Sequence, residues 1–215
     1  MESLIGIVGI TSSLTTLSVL IVIVASRTIA LQKILKWVAV YSGISFSTDI
    51  LLQYSSQTAI YPLLFTFTLL EYACFGWIFY MLLSKQLNKK LIVVGSFAFL
   101  VMVCITLTNY GSQHFDNVNS GTEAILIIIY SILYFSEKLN LDNLEPIFDS
   151  PGSFIVIACL FYLAGNLFLF LTSQDQSSSA WIINSLLSII RNTFFIVAAR
   201  KCAKAKKPVS SLHFS

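Results

Sequence analysis

Long apolar stretches alternate with short polar or charged segments along almost the whole chain. A helix that crosses a membrane needs about 20 mainly apolar residues, and seven stretches reach that length, at roughly 4–25, 35–54, 61–83, 91–109, 122–138, 152–172 and 180–200. Their apolar character runs round the whole helix instead of along one stripe, as in lipid-exposed or fully buried helices. Helices satisfy their backbone groups internally, which an open strand in lipid cannot do. The pattern predicts an all-α, polytopic membrane protein with a seven-transmembrane-helix bundle over residues 1–200 and a basic tail over 201–215. Pro62, Pro146, Pro151 and Pro208 fall at the edges of these stretches, where proline starts or stops a helix without breaking it. Glu123 and Glu137 crowd the two ends of the fifth stretch, which makes it the least cleanly bounded.

Composition strengthens this picture. Of 215 residues, 56% are hydrophobic and only 11% charged, against about 25% charged in a soluble domain. The mean hydropathy is +0.82. The N-terminal stretch lacks the positive leader and the small-residue cleavage site of a signal peptide, so it is expected to remain as the first span.

Charge placement then sets the expected orientation. Arg27, Lys33 and Lys36 follow the first stretch, Lys85, Lys89 and Lys90 the third, and Arg200, Lys201, Lys204, Lys206 and Lys207 the seventh. The segments after the second, fourth and sixth stretches hold no Lys or Arg. By the positive-inside rule the N-terminus is expected outside and the C-terminus in the cytoplasm. The mostly acidic segment after the fifth stretch carries little weight in that rule. The basic tail is expected to lie along anionic lipids, each Lys or Arg contributing about 1 kcal/mol. It is also a place for a membrane or cytoplasmic signalling partner to dock.

Several functions are disfavoured. No basic patch interleaved with aromatics points to nucleic acid. Cys74, Cys104, Cys159 and Cys202 have no metal-binding or redox spacing, and His114 and His213 stand alone; no metal and no cofactor are expected. No GxSxG, HExxH or paired-aspartate arrangement is present, so an enzyme is not expected.

The informative residues are the charges inside the apolar stretches. Arg191 lies about eleven residues from the outer end of the seventh and Glu71 about ten from that of the third, which at 1.5 Å per residue puts both near the bilayer midplane. Either charge left unpaired there costs roughly 2.5–3.5 kcal/mol, so the two are expected to be partners. The pair is read as a lock that a ligand or proton opens, or as a static structural pair. Asp49 lies nearer the outer side, on a face with Ser42, Ser45 and Gln53, while Glu123 heads a stripe with Tyr130 and Tyr134. Asn166 pairs with Tyr162, Asn184 leads through Ser188 to Arg191, and Thr11, Thr15 and Ser18 mark the first stretch. Ser and Thr in such stripes often serve only as interhelical packing groups. Ionisable groups within a membrane, by contrast, mark function by default. The candidate ligand-binding set is therefore Asp49, Glu71, Glu123, Asn166, Asn184 and Arg191. Tyr61, Trp181 and Trp37 suit interfacial anchors better.

Polar residues collect in the outer halves of the stretches, whereas inner halves such as IFYMLL and FFIVAA are apolar. This asymmetry favours a receptor or sensor-type module, whose outward cavity takes a small cationic or polar ligand. The alternative is a transporter or channel for an ion, proton or small solute. That reading needs polar groups through the full thickness, for which Tyr80, Ser84 and Asn192 are the inner candidates.

Seven helices with a charge in the last invite comparison with retinal proteins, but 179–199 lacks the lysine a Schiff base requires. LLEYACFGWIFY around Glu71, FYLAGNLFLF around Asn166 and WIINSLLSIIRN around Arg191 carry a different likeness. On these the chain resembles the small uncharacterised seven-helix inner-membrane proteins of bacteria, similar in layout to the membrane-sensor regions that precede some histidine kinases. The resemblance implies a multi-pass protein of the bacterial inner (plasma) membrane and brings no activity with it.

Overall fold

The computed structural model describes residues 2–25, 33–110, 117–139, 150–172 and 178–204. Among them every regular element is a helix: α1 (Glu2–Ala25), α2 (Lys33–Tyr54), α3 (Gln57–Leu82), α4 (Gln86–Tyr110), α5 (Asn117–Leu139), α6 (Pro151–Thr172) and α7 (Ser178–Lys204). Six of them, all but α2, are long and apolar enough to cross a membrane. The chain is thus built as a multi-pass membrane protein. The 22 residues of α2 match the others in length, but Lys33, Lys36, Asp49 and the run of hydroxyls at Ser42, Ser45, Ser47 and Thr48 make it less apolar.

The packing order differs from the chain order. Helices α1, α2, α3, α5, α6 and α7 form a ring, closed by contact of α1 with α7, and α4 packs outside against α3 and α5. The large exposed side chains of α4, including Val94, Phe97 and Leu100, follow from that flanking position. Short connections at 55–56 and 83–85 make successive helices antiparallel. Every described Lys and Arg except Arg191 therefore gathers at one end of the bundle, called here the basic end. The opposite one, where α1 starts, is the N-terminal end.

The two halves are packed differently. Toward the basic end Val38, Phe75, Ile78, Phe79, Phe195 and Ala198 are wholly buried, and this half is close-packed and mainly hydrocarbon, with Ser131, Ser153 and Glu137 as its buried polar members. Toward the N-terminal end burial tapers. No residue from Thr58 to Leu70 on α3 or from Ala180 to Leu187 on α7 is buried. Buried in that half are the polar Ser12, Thr16, Ser45, Thr48, Asn119, Glu123 and Asn166, beside the apolar Phe99, Val103, Leu163 and Leu169.

Two boundaries depart from the sequence reading. Helix α3 starts at Gln57, so Pro62 lies inside it and not at its edge. Thr66 Oγ1 donates back to the Pro62 carbonyl at 2.8 Å. Pro151 does open α6, where its missing N–H costs nothing. Helix α7 runs past residue 200 to Lys204, across the boundary drawn for the tail; residues 205–215, with Lys206, Lys207, Pro208 and His213, lie outside the described residues, as do Arg27, His114 and Pro146.

Candidate functional site

Arg191 occupies the middle of α7 and is 1% exposed, the largest fully buried side chain among the described residues. Its Nη1 lies 3.9 Å from Glu71 Oε1, too far for a hydrogen bond. The direct contact is Tyr41 of α2. Its hydroxyl accepts from Arg191 Nη1 and donates to Glu71 Oε1 at 2.5 Å. The expected Glu71–Arg191 pair is therefore a triad, with a phenol between the charges. At about 4 Å and an effective dielectric near 20 the attraction is roughly 4 kcal/mol, comparable with the several kcal/mol lost on desolvating each ion. The triad specifies how α2, α3 and α7 meet more than it adds net stability.

Further contacts fix the guanidinium. Its carbon lies 4.2 Å from the Tyr162 ring centre and 5.0 Å from that of Tyr41, so both aromatic faces are turned to it. A desolvated contact of this kind is worth about 2 kcal/mol. Arg191 Nε donates to Asn192 Oδ1 at 3.3 Å. Asn192 Nδ2 in turn donates to Thr15 Oγ1 at 3.0 Å and Thr16 Oγ1 at 2.8 Å, tying α7 to α1. On the basic side Tyr41 packs on Phe75, with ring centres 4.4 Å apart, and edge-on to Phe195 at 6.2 Å. Those rings form the floor.

The other candidates distribute unevenly around this centre. Asp49 is half-buried, accepts from Ser13 at 3.0 Å and acts electrostatically on Arg191 from the N-terminal side. Glu123 is buried on α5 and interacts with Glu71. Asn166 is buried on α6 one turn from Tyr162, which interacts with it and with Glu71. Asn184 is half-buried, and among the described residues no hydrogen bond joins it to the cluster. The structure thus brings Asp49, Glu71, Glu123, Asn166 and Arg191 into one electrostatic neighbourhood and leaves Asn184 beside it.

Several stripes shift. On α1 the inward face is Ser12, Thr16, Val19 and Ile23; Thr11 and Ser18 are exposed and donate to carbonyls of their own helix. Gln53 is exposed, so the inward face of α2 ends near Thr48. Tyr41 itself was missed, although Leu35, Val38, Tyr41, Ser45 and Thr48 follow the spacing of a buried face. The inner candidates for a polar path do not extend one. Tyr80 is exposed under Lys89, and Ser84 is exposed in the α3–α4 connection. Asn192 lies level with Arg191.

A second carboxylate, Glu137, has an identifiable structural task. It is 7% exposed and accepts from the backbone N–H of Ser84 at 2.7 Å, that of Lys85 at 3.0 Å and Asn88 Nδ2 at 2.7 Å. From α5 it thus satisfies amides that precede and open α4.

No protein-family model matches the chain, and none of the curated proteins or solved structures compared with it is detectably similar.

Proposed function

We propose that this chain is a receptor or sensor-type membrane module, in which all seven helices span, the N-terminal end faces outside and the basic end faces the cytoplasm. The supporting observation is the contrast across Arg191: most of the buried polar side chains, Glu123 and Asn166 among them, lie in the N-terminal half, and packed aromatic and aliphatic side chains predominate in the basic half. A small cationic or polar ligand enters from outside, meets Asp49 and Glu123, and perturbs the contacts of Glu71, Tyr41 and Arg191. The acid excess favours a cation, since Arg191 interacts with Asp49 and Glu71 while Glu123 interacts with Glu71 and has no Lys or Arg within 4 Å among the described residues. The α2 span, though the most polar, is held in the ring by its buried face. Clustering of the basic residues supports the orientation through the positive-inside rule, and the tail then lies on anionic lipid where a signalling partner can dock. The bacterial inner membrane is the setting that the layout resemblance suggests.

Flux into liposomes tests the reading against a transporter or channel. Reconstituted protein is expected to leave proton, sodium and potassium gradients unchanged over the protein-free rate. Saturable flux abolished by Arg191→Leu would replace the receptor reading with a transport one.

A further inference from the structure

The two carboxylates of α5 are treated in opposite ways. Glu137 receives three protein donors. Glu123, 2% exposed, has its Oε1 without a hydrogen-bond partner, and Asn166 Oδ1, on a side chain 6% exposed, is in the same position. These are the two buried side-chain atoms so left among the described residues. Each such orphan costs about 1–3 kcal/mol. With Glu123 ionised both are acceptors, so neither can satisfy the other. They sit on neighbouring helices of the ring, and both interact with Tyr162, one turn from Asn166 on α6. Glu71, the nearby acid, is already engaged by Tyr41 and Arg191. Among the described residues no Lys or Arg lies within 4 Å of Glu123.

We propose that Glu123, Asn166 and Tyr162 form a seat for the primary ammonium group of a small organic amine. This rests on the receptor reading and adds the ligand class and its contacts. An –NH3+ group carries one charge and three N–H donors, which match the uncompensated carboxylate, the two unpartnered oxygens of Glu123 and Asn166 and the lone pair left on the Tyr162 hydroxyl, which already hydrogen-bonds Asn166 and Glu71. Hard divalent ions are a poorer fit, because they take six or more oxygen ligands. A quaternary ammonium has no N–H to offer and is recognised by aromatic faces; here the faces of Tyr41 and Tyr162 are occupied by Arg191.

The test is thermal unfolding of the full chain in lipid nanodiscs, with butylammonium, tetramethylammonium or sodium chloride at matched pH and ionic strength. Butylammonium is expected to raise the wild-type Tm by several degrees at saturation, with no shift from the other two. Glu123→Gln replaces a lone charge by a group with its own donors, so it should fold at least as stably and lose the butylammonium shift. Asn166→Leu removes one acceptor and should weaken the apparent affinity at least tenfold. An undiminished shift in Glu123→Gln, or no shift in wild type, overturns the seat. If Asp49→Asn loses the shift while Glu123→Gln keeps it, the amine sits on the α1–α2 side: the seat fails and the receptor reading stands. Failure of that reading shows separately, as flux.

Discussion

At the scale of single residues a phenol hydroxyl joins the two central charges. The Tyr41 hydroxyl hydrogen-bonds both charges of the central pair, accepting from Arg191 and donating to Glu71, while Tyr162 meets Arg191 through its ring face. Tyr41→Phe keeps the ring on Phe75 and removes the bridge, so it is expected to cost about 1–3 kcal/mol, the penalty for leaving buried polar groups short of a partner. Arg191→Leu should cost more, about 3–5 kcal/mol, because Glu71 then remains buried without its cation. Adding Glu71→Leu should recover much of that loss, since a buried pair replaced by hydrocarbon of similar volume is often neutral. Equilibrium unfolding in mild detergent reads all three; a double variant no better than Arg191→Leu would show that the two residues are not coupled. Glu71 and Arg191 could be picked from the sequence because a charge stands out in an apolar helix. Tyr41 could not, since tyrosine fills cores and lines interfaces equally well, and only the burial pattern of α2 distinguishes its role. Of the α1 stripe Thr15 meets Asn192, whereas Thr11 and Ser18 face away for a related reason: Thr and Ser can satisfy themselves on their own helix.

At the scale of elements, carboxylate and small-residue contacts decide how helices meet. Removing the side chain in Glu137→Ala strands the amides of Ser84 and Lys85 and frees Asn88, with an expected cost of about 2–3 kcal/mol for hydrogen bonds to a charged group. Hydrogen exchange at those two amides should accelerate while exchange in the middle of α6 stays slow; unchanged protection would show that another group satisfies the loop. Gly165 of α6 leaves room for Leu187 of α7, whose Cδ1 lies 2.5 Å from the position a Cβ would take. Gly165→Val is therefore expected to push α6 from α7 and lower Tm by several degrees, and an unaltered Tm would mean that Leu187 moves aside freely. Helix existence was legible because length and apolarity suffice to define it. Ends were less so: α3 begins five residues before Pro62, past the first turn where proline is tolerated, so the helix forgoes the bond to the Thr58 carbonyl there. The acid at the inner end of α5 looked like a disturbance of that span because its partners lie more than one helix earlier in the chain.

At the scale of the whole molecule, the neighbour order α1–α2–α3–α5–α6–α7, with α4 outside, had no signature in hydropathy, which reports burial from water and not which apolar surface faces which. Division into a polar and a hydrocarbon half was legible, because it follows from where Ser, Thr, Asn and acids occur along each stretch. Orientation has its own check: a fluorescent protein that matures only in the cytoplasm, fused after Ser215, should be bright, and a dark fusion would invert the assignment. The division at Arg191 is tested most directly by thiol accessibility in a background with Cys74, Cys104, Cys159 and Cys202 replaced. Ser188→Cys, one turn from Arg191 on the polar side, is expected to react with 2-aminoethyl methanethiosulfonate applied from the N-terminal end, while Ala198→Cys, on the hydrocarbon side, stays unmodified from either end. Reaction of Ala198→Cys from the basic end, or an inert Ser188→Cys, would contradict a polar half open on one side and closed beneath the arginine.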